Sequence, residues 1–240
     1  MYLMYNGQLP PFGANLTGYQ VSTPQVNKTV IDPPGVRGLI RTGKKYANRA
    51  ITLHFVLNYE NMAHAAMLFQ DLCSWCASDE PAPLILPGME DRYILAECTN
   101  FPIPDWSKRE QEFDVTFDAS SPDFQAYRES SKTITAESPR FRIGGNLPVA
   151  ITIIAELDDD QTDIVFRVDD YVIELAGQIP DGIITIKTGT LAQVMDGTRD
   201  VTALVTLESD IDFTLSPGLH TLTLPDAIST ATVTWRNAWI

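Results

Sequence analysis

Apolar and polar positions alternate along several short stretches in the first half of the chain, and one stretch has a helical period instead. The alternation is clearest over residues 50–57, where Ile51, Leu53, Phe55 and Leu57 share one face of a predicted strand. The helical stretch follows, and its apolar residues recur every three or four positions: Met62, Ala65, Ala66, Phe69, Leu72, Cys73 and Cys76. This half is therefore predicted to be β-structure with a single helix.

Two more strands of this half are predicted to form a hairpin. Residues 84–86 and 93–96 are rich in β-forming side chains, and the turn residues of segment 87–91 separate them. Residues 111–117 then alternate strictly, which predicts a further half-buried strand.

The second half of the chain is predicted to consist almost entirely of short strands. Glycine, proline, asparagine and aspartate separate them, as at residues 144–146, 158–160 and 180–182. Such spacing is typical of a β-sandwich or jelly roll. The predicted strands are residues 149–154, 164–168, 171–175, 183–186, 201–205, 213–215, 219–224 and 231–235.

A small polar segment, residues 130–139, lies between these two halves and has no strong apolar period. We expect it to be a connector. The chain is therefore predicted to contain two domains, residues 1–132 and residues 133–240.

The composition is that of an acidic globular protein. The chain has 240 residues, is 44% hydrophobic and carries a formal net charge of -14. General nucleic-acid binding is disfavoured, because phosphates require a basic footprint. The sequence has no apolar run of membrane-spanning length and no signal-peptide pattern at its start, so we expect synthesis in a cytoplasm without export.

The motif Cys73-Ser74-Trp75-Cys76 has the strongest claim to chemistry, because paired cysteines at this spacing bind zinc or exchange disulfides. Zinc needs about four ligands, and only Cys98 and the distant His54 or His64 are available to complete the set. Both cysteines of the motif lie on the predicted apolar stripe, near the end of the helix. We therefore expect core packing, no metal site and no disulfide framework.

No stretch of the sequence predicts an active site. The acidic residues of segment 158–163 offer oxygen ligands for calcium, but they lack the central glycine and late glutamate of an EF-hand loop, so a solvated turn is the better interpretation. The histidines stand in no catalytic context, and the 31 acidic residues include no pair that its spacing singles out. We expect no enzyme and no cofactor.

The segment from Lys28 to Arg49 inverts the local charge of an acidic protein. It contains a single acid, Asp32, beside a Pro-Pro-Gly turn. Two interpretations stay open: a basic surface loop, or an arm that crosses onto an acidic neighbouring subunit in a ring. The candidate arm residues are Lys28, Arg37, Arg41, Lys44, Lys45 and Arg49.

Several motifs, in their order and spacing, resemble the distal tail protein family of siphophages. They are the segment Gly35–Gly43, Asp91-Arg92-Tyr93, Glu112–Phe117, Ser121-Pro122-Asp123, Gly144–Pro148, Ser216–Leu222 and the ending Trp235–Trp239. The resemblance implies a mostly β fold. It consists of an N-terminal domain with one α-helix, related to tail-tube proteins, and a C-terminal galectin-like β-sandwich.

The resemblance also implies a function and a location. The first domain would form a homo-hexameric ring at the tail tip of the virion, between the tail-tube protein and the tail-associated hub protein. DNA would pass through its lumen at ejection. The tape measure protein and receptor-binding proteins are further expected partners, and no specific nucleic-acid or membrane binding is expected.

A second hypothesis is that the sandwich is a carbohydrate-binding module for host wall saccharide. Sugars stack on exposed aromatic rings beside polar groups. The residues available for this are Phe166 and Tyr171, with Trp235 and Trp239 as the other aromatics. A third hypothesis, a wall-degrading enzyme, lacks a catalytic set.

Overall fold

The computed structural model describes residues 2–24, 26–31, 40–101 and 111–240. The chain divides into two units, Met1–Phe124 with Ile240 and Gln125–Trp239. The described elements of the first unit are β1 (Met4–Tyr5), β2 (Ala14–Val21), β3 (Val26–Ile31), β4 (Ile40–Tyr46), β5 (Arg49–Leu57), α1 (Met62–Cys76), β6 (Ala82–Ile85), β7 (Arg92–Asn100) and β8 (Gln111–Ala119). Strand β9 (Phe124–Ala126) lies at the division between the units.

An antiparallel sheet with the strand order β1-β6-β7-β8-β5-β2 forms the body of the first unit. One face of β5 is buried, as its alternation predicted, and residues Ile51 to Leu57 of that face pack into the core. The predicted hairpin of residues 84–96 is confirmed by the antiparallel pairing of β6 with β7. On the other face of the sheet, His54 Nδ1 lies 2.6 Å from Asp114 Oδ1.

Helix α1 forms where the period predicted it, but it buries a different set of residues. Asn61 caps its first turn, and the Asn61 side chain accepts a hydrogen bond from the backbone N–H of His64. Met62 is exposed and Cys73 is half-buried, whereas Leu68 and Trp75 are buried. The predicted stripe was therefore partly wrong. The buried face is set by what it meets in the sheet, and its residues are Ala65, Leu68, Leu72, Trp75 and Cys76.

The second unit contains two antiparallel sheets around one apolar core. The six-stranded sheet has the order β10-β19-β12-β15-β16-β17, and the four-stranded sheet has the order β11-β18-β13-β14. The strands of these two sheets are β10 (Ser130–Thr135), β11 (Arg140–Ile143), β12 (Ile151–Leu157), β13 (Gln161–Val168), β14 (Tyr171–Ile179), β15 (Gly182–Lys187), β16 (Gln193–Asp196), β17 (Arg199–Asp200), β18 (Gly218–Thr223) and β19 (Thr230–Trp235). Strand β20 (Ala238–Trp239) belongs to neither sheet. Alternate residues of both sheets enter the core, which is the pattern of a sandwich.

The predicted connector is a strand. Residues 130–135 form β10 and pair with β19 along their full length, and the units divide after Phe124 rather than after residue 132. Ile134 is the only fully buried residue of β10. A strand with one buried side chain has too weak an apolar period to be recognised from sequence.

Two predicted strands of the second unit were also wrong. Residues 201–205 contain a 3-10 turn, Thr202–Leu204, and of residues 213–215 only Leu215 makes a bridge, to Val149. Asp200 Oδ1 accepts a hydrogen bond of 2.9 Å from the N–H of Thr202. Such a local side-chain bond draws the backbone away from a strand ladder.

The chain ends in an ordered network inside the second unit. The Asn237 side-chain oxygen accepts hydrogen bonds from the N–H of Gly144 at 2.8 Å and from the indole N–H of Trp235 at 3.0 Å. The carbonyl oxygen of Ala238 accepts bonds from the backbone N–H groups of Asn146 and Leu147. Two sequence motifs that are about 90 residues apart, Gly144–Pro148 and Trp235–Trp239, therefore form one structure.

Candidate functional site

Strands β3 and β4 form a separate two-stranded sheet in the first unit, which we call the basic hairpin. Their antiparallel register runs from Val26 opposite Tyr46 to Ile31 opposite Ile40. A bulge at Thr42 interrupts it, and the Thr42 hydroxyl donates to the carbonyl oxygen of Thr29 at 3.2 Å. Within the described part of the chain, β3 pairs with no other strand.

Every residue of β3 is exposed. Val26, Lys28 and Val30 lie on one face of this strand, and the two valines are 40% and 47% exposed. A β-branched pair that flanks a lysine therefore faces away from the protein's own core. The basic hairpin offers both apolar surface and positive charge.

The six candidate arm residues do not all lie in the same surroundings. Lys28 and Lys45 are exposed on the basic hairpin, as expected for an arm. The backbones of Arg41 and Lys44 belong to β4, whereas Arg37 lies outside the described residues.

Arg49 does not belong to the arm, and that expectation was wrong. Its side chain is buried in the first unit, with the guanidinium 5.3 Å from the centre of the Phe124 ring. Burial lowers the pKa of Arg49, and the nearby Asp123 opposes this shift. Burial likewise raises the pKa of Asp123, and the charge of Arg49 opposes that shift. Arg49 therefore belongs to the packing of the first unit, because its alternation along β5 directs it inward.

A polar cleft of about 580 Å³ lies at the base of the basic hairpin. Lys45 and Asp118 bring opposite charges to its walls, and Asn48 Nδ2 donates to Asp118 Oδ2 at 3.1 Å. Below it, the backbone of Ala50 and that of Ser22 are joined by a hydrogen bond of 2.9 Å. These contacts fix the point where the basic hairpin leaves the sheet.

The two aromatic residues expected to face a saccharide are covered by the second unit itself, Phe166 completely and Tyr171 on one ring face. Phe166 is fully buried in the core of the second unit, so its expected role was wrong. Tyr171 is half-buried and stacks on Phe213, with ring centres 4.2 Å apart and planes 5° apart. Trp235 is also buried. Alternation along strand β13 points Phe166 inward with Ile164 and Val168.

The remaining candidates from the sequence are the possible metal ligands, the histidines and the acidic segment 158–163. In the part of the chain that the structure describes, no group of three or more His, Cys, Asp or Glu side chains is arranged to hold a metal ion. His220 is buried between two acceptors: Nδ1 lies 2.7 Å from Asp169 Oδ2, and Nε2 lies 2.7 Å from the carbonyl oxygen of Ser216. Of the segment 158–163, Asp160 and Asp163 accept backbone hydrogen bonds within the second unit.

The charge pattern of residues 28–49 did not predict that β3 and β4 form a strand pair. A signal was present, because residues 26–31 are rich in the β-branched residues valine, threonine and isoleucine, and a turn signal follows them. None of the helices within residues 2–24, 26–31, 40–101 and 111–240 is long and apolar enough to cross a membrane.

Comparisons with known proteins agree with this fold. The family described as phage tail protein RIFT-related domain matches residues 14–119. The crystal structure of the Dit protein of phage SPP1, called a paradigm of the hub adsorption apparatus of phages that infect Gram-positive bacteria, matches with a TM-score of 0.79 and 14% identity. That match covers 99% of this chain and 98% of the SPP1 chain.

A chain of the phage P2 baseplate in its activated conformation also matches, with a TM-score of 0.50 and 14% identity, over 99% of this chain and 98% of that one. No curated protein sequence matches the chain. The tail-domain match over residues 14–119 indicates a component of a phage tail. The chain therefore contains a phage tail protein RIFT-related domain over residues 14–119 and has the fold of SPP1 Dit over nearly its full length.

Proposed function

We propose that this protein forms the distal ring of a siphophage tail, a homo-hexamer that joins the tail-tube protein to the tail-associated hub protein. The observation that carries the proposal is the basic hairpin, a separate two-stranded sheet that lies within the residues matched by a phage tail domain family. The likeness to SPP1 Dit over nearly the full length of both chains supports it.

The basic hairpin needs a partner surface for a physical reason. A two-stranded hairpin on its own is at best marginally stable in water. This one exposes Val26 and Val30 as well as its cations, so it gains little from its own protomer. A neighbouring copy supplies what is missing, because a chain with a net charge of -14 presents acidic surface to the lysines of the arm. A head-to-tail contact of this kind closes into a ring when its rotation allows.

The charge of the protein also fits a DNA channel. A lumen lined with negative charge repels phosphate and limits adhesion of the genome as it passes. We propose that DNA crosses the ring without specific contacts, that the protein needs no cofactor and that it catalyses no reaction.

The second unit is proposed to be the galectin-like β-sandwich that points outward from the ring. In that position it is available to receptor-binding proteins, and the tape measure protein is a partner on the tube side. The saccharide hypothesis is weakened because Phe166 is buried and Phe213 stacks on one face of Tyr171. We therefore favour a protein partner for this unit.

The test of the ring is the solution mass of the purified protein by light scattering, with negative-stain images of the same peak. We expect a mass about six times the 26.6 kDa of one chain and particles with a central hole. Twelve copies in two stacked rings would agree with the same interface. A monomer at all accessible concentrations would contradict the proposal.

A further inference from the structure

We propose that the basic hairpin of one copy docks on an acidic turn in the second unit of a neighbouring copy, residues 206–212, which we call the leucine turn. This inference rests on the proposed ring and names the surface that receives its arm. The leucine turn exposes one large apolar side chain beside three carboxylates: Leu207, Glu208, Asp210 and Asp212. Its chemistry is the complement of the basic hairpin, which exposes two valines and a lysine on one face of β3.

Hydrogen bonds hold the leucine turn in one shape along strand β14. The N–H of Thr206 donates to the carbonyl oxygen of Glu174 at 3.0 Å. The N–H of Asp210 donates to the carbonyl oxygen of Val172 at 2.9 Å. Between these two points, the Ser209 hydroxyl accepts a hydrogen bond of 2.8 Å from the N–H of Glu174. An ordered surface loses little conformational entropy on binding, so the leucine turn is preorganised for a partner.

The second unit leaves both the apolar surface and the charge of this turn open. Leu207 is fully exposed. Within the residues that the structure describes, the side chains of Glu208, Asp210 and Asp212 make no hydrogen bond and no ion pair. The sequence also has no lysine or arginine at positions 200–235 to neutralise these acids nearby. A partner that brings apolar surface and positive charge together therefore fits the leucine turn.

The basic hairpin of a second copy is such a partner. Lys28 lies between Val26 and Val30 on the same face of β3, so apolar and positive groups alternate there. Lys45 lies opposite Asn27 in the register and therefore projects from the other face of the basic hairpin. Opposite charges orient two proteins and speed their encounter, whereas burial of apolar surface contributes most to the free energy of association.

Another acidic surface of the chain fits the basic hairpin less well. Glu112, Asp114 and Asp118 share one face of β8. Asp114 lies 2.6 Å from a ring nitrogen of His54, and Asp118 accepts a hydrogen bond of 3.1 Å from Asn48. Every apolar side chain of β8 is buried. This face therefore offers negative charge, most of it already partnered, and no apolar surface to cover the exposed valines.

The test compares the assembly of full-length variants by sedimentation velocity over a dilution series. Lys28→Glu should raise the concentration at half assembly about tenfold or more, because it sets like charges against each other across the interface. The joint replacement of Glu208→Lys and Asp210→Lys should have an effect of the same size for the same reason. Melting temperatures near that of wild type will show that each protomer is folded.

Two matched controls carry the same changes of charge at other places. Lys45→Glu alters the opposite face of the basic hairpin. Asp158→Lys together with Asp159→Lys alters two exposed acids of another turn in the second unit. We expect the assembly midpoints of both controls to stay near that of wild type. Controls that shift as far as the matching test variants would overturn the inference, because net charge alone would then explain the effect.

An equimolar mixture of the two defective variants, Lys28→Glu and Glu208→Lys/Asp210→Lys, identifies the partner surface. If the two kinds of copy alternate around a six-membered ring, every interface pairs either two original surfaces or two reversed ones. We expect the mixture to assemble near the wild-type midpoint, although neither variant does so alone. A mixture that assembles no better than its components would contradict docking on the leucine turn.

The apolar half of the contact is tested separately. Leu207→Ser should raise the assembly midpoint about tenfold or more, because it removes the apolar group that the valines cover. The control Leu219→Ser, at a position 62% exposed on β18, should leave it near wild type. A midpoint of Leu207→Ser equal to that of wild type would count against the inference.

Failure of this inference and failure of the ring are distinguishable. A wild type that stays monomeric contradicts the ring and the docking surface together. A wild type that forms rings, with a midpoint that reversal of the leucine turn leaves unchanged, overturns the docking surface alone.

Discussion

Replacing Val26 and Val30 together by threonine should weaken ring assembly while leaving the protomer folded. Both residues lie on the exposed strand β3, and neither belongs to the buried core of the first unit. Threonine is β-branched like valine and keeps the strand preference of the basic hairpin. The substitution therefore tests whether the exposed apolar surface of β3 is buried against a neighbouring copy.

The structure sets the size of the expected effect. Full burial of a valine side chain contributes about 1.5–3 kcal/mol. Val26 is 40% and Val30 is 47% exposed, so a neighbour that covers both can gain only the remaining fraction. That fraction amounts to about 2 kcal/mol per interface. An interface weaker by about 2 kcal/mol has a dissociation constant about 30-fold higher.

The assay is sedimentation velocity over a dilution series, read as the concentration at which half the protein is assembled. A matched control replaces Ile154 and Ile183, which are 37% and 52% exposed on the six-stranded sheet of the second unit, by threonine. We expect the midpoint of the hairpin variant to rise by about 30-fold and that of the control to stay near wild type. Equal midpoints for hairpin variant and wild type, or an equal rise in the control, would refute the reasoning.

Three further predictions follow from charge, titration and backbone geometry. Replacing Arg37, Arg41, Lys44 and Lys45 together by glutamate should abolish the ring while the protomer keeps its melting temperature. Intact rings would exclude an electrostatic arm. The pKa of Asp200 is lowered to about 2 by its hydrogen bonds with Thr202 and Gln193, so its stabilising effect is present above the unfolded pKa near 3.8 and is lost as pH falls through about 2. Urea unfolding should accordingly show Asp200→Ala less stable than wild type at pH 5 and equal to it near pH 2, and a gap that persists at pH 2 would argue against this cause. Gly145 has φ +82° and a Cβ there would overlap the carbonyl oxygen of Ala238, so Gly145→Ala should cost about 3 kcal/mol or more in chemical denaturation, against about 1 kcal/mol for Gly197→Ala, which has open space; similar costs would refute the overlap.

Periodic burial explains what sequence could predict in the first unit. Strand β5 and helix α1 each bury one face, and a single buried face imposes a period of two or of about 3.6 on the apolar residues. The existence of both elements was therefore predictable. The rotation of the helix was not, because Leu68 and Trp75 are buried only by virtue of the sheet residues they meet.

In the candidate site, too, the sequence predicted the charges, whereas the fold determined which charged side chains are exposed. The cations of the arm were visible as a charge inversion, and Lys28 and Lys45 are exposed as expected. Arg49 carries the same charge but is buried beside Phe124. Charge type is written in the sequence, whereas the exposure of a charged side chain depends on the strand register that directs it inward or outward.

The sequence by itself determined the elements of this protein: a mostly β chain with one helix, an acidic surface and a basic segment. Local propensity and periodicity act over a few residues, so they can be recognised from the sequence alone. Only the tertiary structure decided which distant groups meet, such as Asn237 with Gly144 and Arg49 with Phe124. It also decided which apolar residues the protein covers itself, as with Phe166, and which it leaves exposed, as with Val30. Alternation groups residues on one face of a strand, but packing between segments far apart in the chain decides which face is covered.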